Sequence, residues 1–200
     1  MEKNITIFCA SSPKIPHQYF EVTKKLTRLL IEKGYGIIYG GGASGLMGCV
    51  ANTTLEINGR IKGIIPRFMI DVEWEHKGVN DMVHVDSMHK RKELLIKNTS
   101  GVIALPGGTG TLEELYEVVS LKKLGQFPHP IILLNINNYF NPIIKMAQKM
   151  ADENFMRQKH LKLWDIANTP EDVLASIKNH KPWGPEVIEF ASIPIREENN

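Results

Sequence analysis

Gly101-Val102-Ile103-Ala104-Leu105 runs straight into Pro106-Gly107-Gly108-Thr109-Gly110-Thr111, and that turn opens onto Leu112-Glu113-Glu114-Leu115. The first five residues are too few for a helix and carry no polar side chain, as a strand buried on both faces requires. The glycines end the run, and apolar residues of helical period then continue over 112–124. Strand, glycine turn and helix make half of a β-α-β unit. A strand covered on both faces needs helices above and below a mostly parallel sheet.

The same alternation extends in both directions. Apolar strands are expected over 5–10, 35–39, 61–65, 82–85, 131–134 and 161–164. Helices are expected where Phe20, Leu26, Leu29, Leu30 and Ile31 precede Gly34, then over 46–57, 88–98 and 142–150. Residues 71–80 read as loop or short helix. Thr169 starts a last helix, with Pro170 at its first position and Glu171 and Asp172 in the first turn. The expected fold is α/β, an open, doubly wound, Rossmann-like sheet. A closed barrel of eight such units needs roughly 250 residues, more than the 200 present. Residues 1–180 read as a single domain. Residues 181–200 hold Pro182, Pro185 and Pro194 and an acidic, polar end, a tail expected to be disordered or docked on a partner subunit.

Composition removes several function classes. With 42% hydrophobic and 23% charged residues the chain is too balanced to be disordered. The formal charge is +2 and the lysines are scattered, so no nucleic-acid partner is expected. No stretch approaches the roughly 18 apolar residues of a membrane span or the apolar region of a signal peptide, so a cytoplasmic protein is expected. Cys9 and Cys49 read as buried free thiols. No metal and no cofactor is expected, because His76, His84 and His89 lack ligand spacing with one another and the two cysteines complete no set.

Three loops carry the chemistry. At the turn from Pro106 to Thr111, glycines let a ligand approach the backbone, Thr111 is placed to cap the helix, and the helix start offers unpaired amides to a phosphate. No Gly-Lys-Ser/Thr follows, so the turn is no ATP-binding P-loop. The second loop, Gly40-Gly41-Gly42-Ala43-Ser44-Gly45, also leads from strand to helix, and either ligand contact or close backbone packing accounts for its glycines. The third starts at Ser87, where Arg91 and Lys92 follow and diverge by about 100° on a helix, so that either one clamps a phosphate while the other is solvated or both are ordinary surface charges. Glu114 sits just past the phosphate loop, either supporting the helix start or facing a sugar. Glu73 is an acid with little structural duty. Two carboxylates beside a sugar phosphate are the equipment of glycosidic cleavage.

Gly40-Gly41-Gly42-x-x-Gly45-Leu46-Met47-Gly48, Met88-His89-x-Arg91-Lys92 and Pro106-Gly107-Gly108-x-Gly110-Thr111-x-x-Glu114 resemble, in order and spacing, the three signatures of the LOG (Lonely Guy) family. Its members are cytokinin riboside 5'-monophosphate phosphoribohydrolases, often labelled lysine decarboxylases. The resemblance covers about residues 4–178. It implies hydrolysis of AMP or an N6-modified AMP to the free base and ribose 5-phosphate. It implies Arg91 and Glu114 as the catalytic pair, Lys92 in support, Gly107, Gly108, Thr109, Gly110 and Thr111 around the 5'-phosphate, and Glu73 near base and ribose. Ser120 stands where the family often has threonine. Gly41, Gly42, Gly45, Met88 and Glu113 complete the expected substrate-binding set. Family members form homodimers, some of them larger assemblies, with the site near the subunit interface.

Two positions depart from the pattern. Ala10 replaces a usual glycine in the first turn, and Thr109 stands where plant enzymes commonly carry tyrosine, which bears on substrate preference. The rival reading is a nucleotide or cofactor carrier of the same fold without hydrolytic activity. Amino-acid decarboxylation needs a lysine to hold pyridoxal phosphate, and no lysine is singled out by its context.

Overall fold

The apolar runs assemble into one seven-stranded sheet in a computed structural model that describes residues 3–70, 74–183 and 188. Its elements are β1 (Asn4–Phe8), α1 (His17–Glu32), β2 (Gly36–Tyr39), α2 (Gly45–Glu56), β3 (Ile61–Pro66), β4 (Asp81–Val85), α3 (Met88–Lys97), β5 (Val102–Ala104), α4 (Thr109–Lys123), β6 (Ile131–Leu134), α5 (Asn141–Asp152), β7 (Asp165–Ala167) and α6 (Pro170–Asn179). The strand order is β4-β3-β2-β1-β5-β6-β7, and every neighbouring pair is parallel. The expected doubly wound α/β fold is therefore present.

Alternation along each strand builds two cores. Ile5, Ile7, Ile37, Tyr39, Ile103, Ile132 and Leu134 face one side, against Leu26 and Leu30 of α1, Val50 of α2 and Val173 of α6. Phe8, Ile38, Ile64, Val102, Ala104, Ile131 and Leu133 face the other, against Leu95 of α3, Leu115 and Val118 of α4 and Ala147 of α5. Burying each large aliphatic side chain contributes about 1.5–3 kcal/mol. The outermost strands, β4 and β7, are only partly buried, as edge strands are.

The order of strands places the site. Successive strands step outward from β1 on one side and from β5 on the other, so the chain reverses its winding between these two neighbours. Loops leaving their carboxyl ends diverge and open a crevice.

Two sequence expectations need correction. The strand expected over 161–164 is instead a 3-10 turn, Gln158–Lys162, followed by β7 at Asp165–Ala167. Leu163 and Trp164 are buried because they pack under the second core, not because they pair in the sheet. Second, α4 begins at Thr109 rather than at 112, with Gly108 as its cap residue, so Thr111 lies inside the first turn and does not cap it. Two helices have the capping expected of them: Gly34 closes α1 with a φ of +82°, and at α6 Thr169 accepts from the Asp172 amide while the Asp172 side chain accepts from the Thr169 amide. Most of the 181–200 tail and Glu73 lie outside the described residues.

Candidate active site

At the switch point, the ends of β1, β2 and β5 and the starts of α3 and α4 enclose a cavity of about 300 Å³. Cys9, Ala10 and Ser11 form its floor from the turn after β1. Gly40 enters from the second loop, Met47 from the first turn of α2, Met69 from the turn after β3, and Met88 and Arg91 from α3. Gly108, Thr109, Gly110, Thr111 and Glu114 close it from α4.

Arg91 is held firmly for so long a side chain. It is 4% exposed, and its Nη2 donates to the Gly40 carbonyl at 3.0 Å. Its Nη1 faces the sulfurs of Met69 at 3.6 Å and Met88 at 4.0 Å. The close approach needs glycine at 40, since a Cβ there would lie 2.5 Å from Nη2. α3 is aimed by Ser87, whose hydroxyl caps it by accepting from the Lys90 amide. A planar guanidinium held in this way presents the fork of donors that suits an anionic partner.

The opposite wall is the start of α4. The first bond of that helix runs from the Leu112 amide to the Gly108 carbonyl, so the amides of Thr109, Gly110 and Thr111 precede the ladder, as the donors at any helix start do. A Cβ at Gly108 or Gly110 would meet nothing within 4 Å, so both positions face open space. Gly107 has a different duty: a Cβ there would lie 2.1 Å from Thr111 Oγ1, so the threonine packs beneath it. The Gly107 carbonyl accepts from Tyr139 Oη at 2.6 Å, which fixes the turn from the β6 side. Glu114, five residues past the helix start, lines the same cavity as Arg91.

Beside the cavity, residues 74–76 pair with the second loop. Glu75 bridges Gly42, the Ala43 amide donates to the Trp74 carbonyl and the His76 amide to that of Gly41. Burial raises the Glu75 carboxyl, but hydrogen bonds from His84, 2.7 Å away, and Lys77 outweigh it and hold the group below the usual glutamate value. Beneath the loop, burial pushes the Tyr39 hydroxyl well above the ordinary tyrosine value, so it stays protonated.

With this geometry in place, similarity to known proteins becomes informative. Residues 47–177 match a family described as possible lysine decarboxylase. Over 186 residues the chain is 33% identical to the cytokinin riboside 5'-monophosphate phosphoribohydrolase LOG5 of Arabidopsis thaliana, covering 93% of this chain and 82% of that one. The chain belongs to the LOG family. A second LOG relative, the cytokinin riboside 5'-monophosphate phosphoribohydrolase of Rhodococcoides fascians, is 33% identical over 178 residues, 88% of this chain and 90% of its own. Among solved structures, TM1055 superposes with a TM-score of 0.70 at 24% identity, covering 89% of this chain and 99% of its own. The molybdenum cofactor carrier protein of Chlamydomonas reinhardtii gives 0.67 at 16% identity, with 89% and 96% covered. At those identities the likeness is one of fold.

The LOG signatures divide between cavity and scaffold in a way their letters do not reveal. Of the expected residues, Arg91, Glu114, Met88, Gly108, Thr109, Gly110 and Thr111 meet at the cavity. Gly41, Gly42 and Gly45 lie outside its lining. Gly41 takes a φ of +87° against Ile65, Gly42 bridges Glu75, and Gly45 takes a φ of +61° against the Ser11 backbone. The amides of Leu46 and Met47 at the start of α2 both donate to the Ala10 carbonyl, so the second loop braces the first turn. Lys92 turns from the cavity to pair with Glu113 and with Glu117 at 3.0 Å on α4, and hydrogen bonds from those acids raise its pKa. Ser120 is exposed and donates to the Tyr116 carbonyl at 2.8 Å, away from the cavity. Met69 is not among the expected site residues, since nothing in its turn segment singles it out, and Met47 stands in a quoted signature without an assigned role.

Proposed function

We propose that the chain hydrolyses the N-glycosidic bond of a purine nucleoside 5'-monophosphate, AMP or an N6-modified AMP, to the free base and ribose 5-phosphate. The observation that carries this reading is the convergence of Arg91, Glu114 and the amide-rich start of α4 on one cavity. The names of the relatives support it, since they are phosphoribohydrolases acting on a riboside 5'-monophosphate.

In this reading the amides of Thr109, Gly110 and Thr111 and the positive end of α4 hold the 5'-phosphate. That anchors ribose with its C1 over Glu114. As the bond to the base stretches, C1 becomes cationic. A carboxylate alongside stabilises that charge or orients the attacking water. Arg91 balances the phosphate and carboxylate charges and fixes the substrate's position. Glu73 is the second acid of the proposal. The site lies near a subunit interface of a homodimer.

Two alternatives compete. Decarboxylation through pyridoxal phosphate needs a lysine in the cavity, whose lining holds Arg91 but no lysine. A carrier of the same fold has no use for a carboxylate facing an anionic ligand, so Glu114 favours the hydrolase. Incubation of the purified protein with AMP and with N6-isopentenyl AMP is expected to release free base and ribose 5-phosphate. Tight binding of either nucleotide with no product would establish the carrier instead. Glu114→Gln is expected to abolish turnover with the melting temperature kept; full retained rate would exclude it as the essential acid.

A further inference from the structure

At the end of the sheet opposite the crevice, Lys122 in the last turn of α4 is a buried cation, 2% exposed. Its Nζ donates to the His129 carbonyl at 2.9 Å. A second cavity of about 200 Å³ opens beside it, lined also by Lys162, Asp165, His180, Lys181 and the two indoles Trp164 and Trp183. Asp165 is the one acid of that lining, and no carboxylate of the described residues reaches the 4.0 Å of an ion pair with Lys122. A buried ammonium is costly unless a counter-charge and hydrogen bonds compensate it. Among the described residues, one carbonyl and the partial negative charge at the end of α4 leave two of its three donors without an acceptor.

We propose that this cavity is a second ligand site, taking a small oxyanion, a phosphate or carboxylate group, as the counter-charge of Lys122. Its shape and charge suit that ligand. The buried ammonium forms the floor, and the exposed Lys162 and Lys181 stand at the sides. His180 is fixed by its Nε2, which donates to the Pro128 carbonyl at 2.8 Å. Burial lowers the pKa of both His129 and His180, so the positive charge near neutral pH comes from the three lysines, opposed by Asp165. Burial also brings Lys122 down to about 8, the mark of a cation without full compensation. An oxyanion would restore that compensation, and its binding should weaken as pH rises past that value. The cavity shares no residue with the first, so occupancy here leaves the crevice open.

The test uses tryptophan fluorescence in an oxyanion-free buffer. Trp74 lies beside the first cavity, so Trp74→Phe in the full chain leaves Trp164 and Trp183 as reporters. Titration with inorganic phosphate, and separately with acetate, is expected to give a saturable change that is absent in Lys122→Met and at least tenfold weaker in Lys162→Ala/Lys181→Ala. A response to phosphate alone marks a phosphoryl site, and a response to both marks a general oxyanion site. The surface double variant keeps the test decisive if Lys122→Met fails to fold. An unsaturating change, or one of equal size and midpoint in the variants, would overturn the proposal.

Discussion

Two alanine substitutions, one in each glycine loop, should have opposite signatures if the division between scaffold and ligand is right. At Gly45 the backbone holds a φ of +61°, where an L residue costs about 1–2 kcal/mol. A Cβ there would also lie 2.5 Å from the Ser11 carbonyl carbon and 2.6 Å from the oxygens of Ser11 and Ser12. These are backbone atoms that cannot rotate away, and such overpacking costs about 1–3 kcal/mol. Gly45→Ala should therefore lose about 2–5 kcal/mol, or roughly 4–20 °C in melting temperature. Gly110 is the reverse case. It sits in the first turn of α4 with nothing within 4 Å of a Cβ, so alanine should stabilise the helix by about 0.5–1 kcal/mol. The same methyl enters the cavity beside the proposed phosphate amides, and kcat/KM should fall tenfold or more, about 1.4 kcal/mol in the barrier. Urea unfolding and nucleotide hydrolysis on the two variants read both quantities. A Gly45→Ala protein as stable as wild type, or a Gly110→Ala protein of undiminished activity, would refute the reasoning.

Arg91→Lys should lower kcat/KM by about 100-fold or more, because one ammonium cannot bond the Gly40 carbonyl and a substrate in the fork geometry of a guanidinium; steady-state kinetics checks it. Lys92→Ala should change KM less than threefold and cost only about 0.2–1 kcal/mol in urea unfolding, since its partners Glu113 and Glu117 are partly exposed. A KM raised tenfold would instead place Lys92 at the substrate. Lys122 carries a pH signature: its folded value of about 8 lies below the ordinary 10.5, so between them the unfolded chain binds more protons and stability rises with pH. In oxyanion-free buffer the wild-type urea midpoint should climb over that interval relative to Lys122→Met, and parallel curves would count against the assignment.

Much of this architecture was legible before any coordinates, because apolar runs such as Ile131-Ile132-Leu133-Leu134 admit few other placements. The divergence of Arg91 and Lys92 also followed from helix geometry alone, one residue entering the cavity and the other tying α3 to α4. What was not legible depended on three-dimensional neighbours. Leu163 and Trp164 have strand-like composition, yet the edge pairing falls to Asp165-Ile166-Ala167, where β6 supplies the partner carbonyls and amides. Thr109 and Gly110 read as loop because glycine is a poor helix former, but the turn after β5 already has the helical path. Nor can letters distinguish a glycine that admits a ligand from one that admits a neighbouring backbone. Gly40 and Gly45, five positions apart, do different things because one faces Arg91 and the other Ser11.

The cavity at the switch point draws its walls from residues 7–11, from Gly40, Met47 and Met69, from Met88 and Arg91, and from residues 108–111 and Glu114, which lie on both sides of β1 in the sheet. A nascent chain therefore lacks this cavity until β5 and α4 have been synthesised and β5 has docked beside a strand made almost 100 residues earlier. Proteolytic fragments and prematurely terminated products inherit signature letters without inheriting a site. Loss of catalysis on denaturation should coincide with collapse of the whole sheet, so enzymatic activity serves as a sensitive measure of the correctly folded fraction in any preparation.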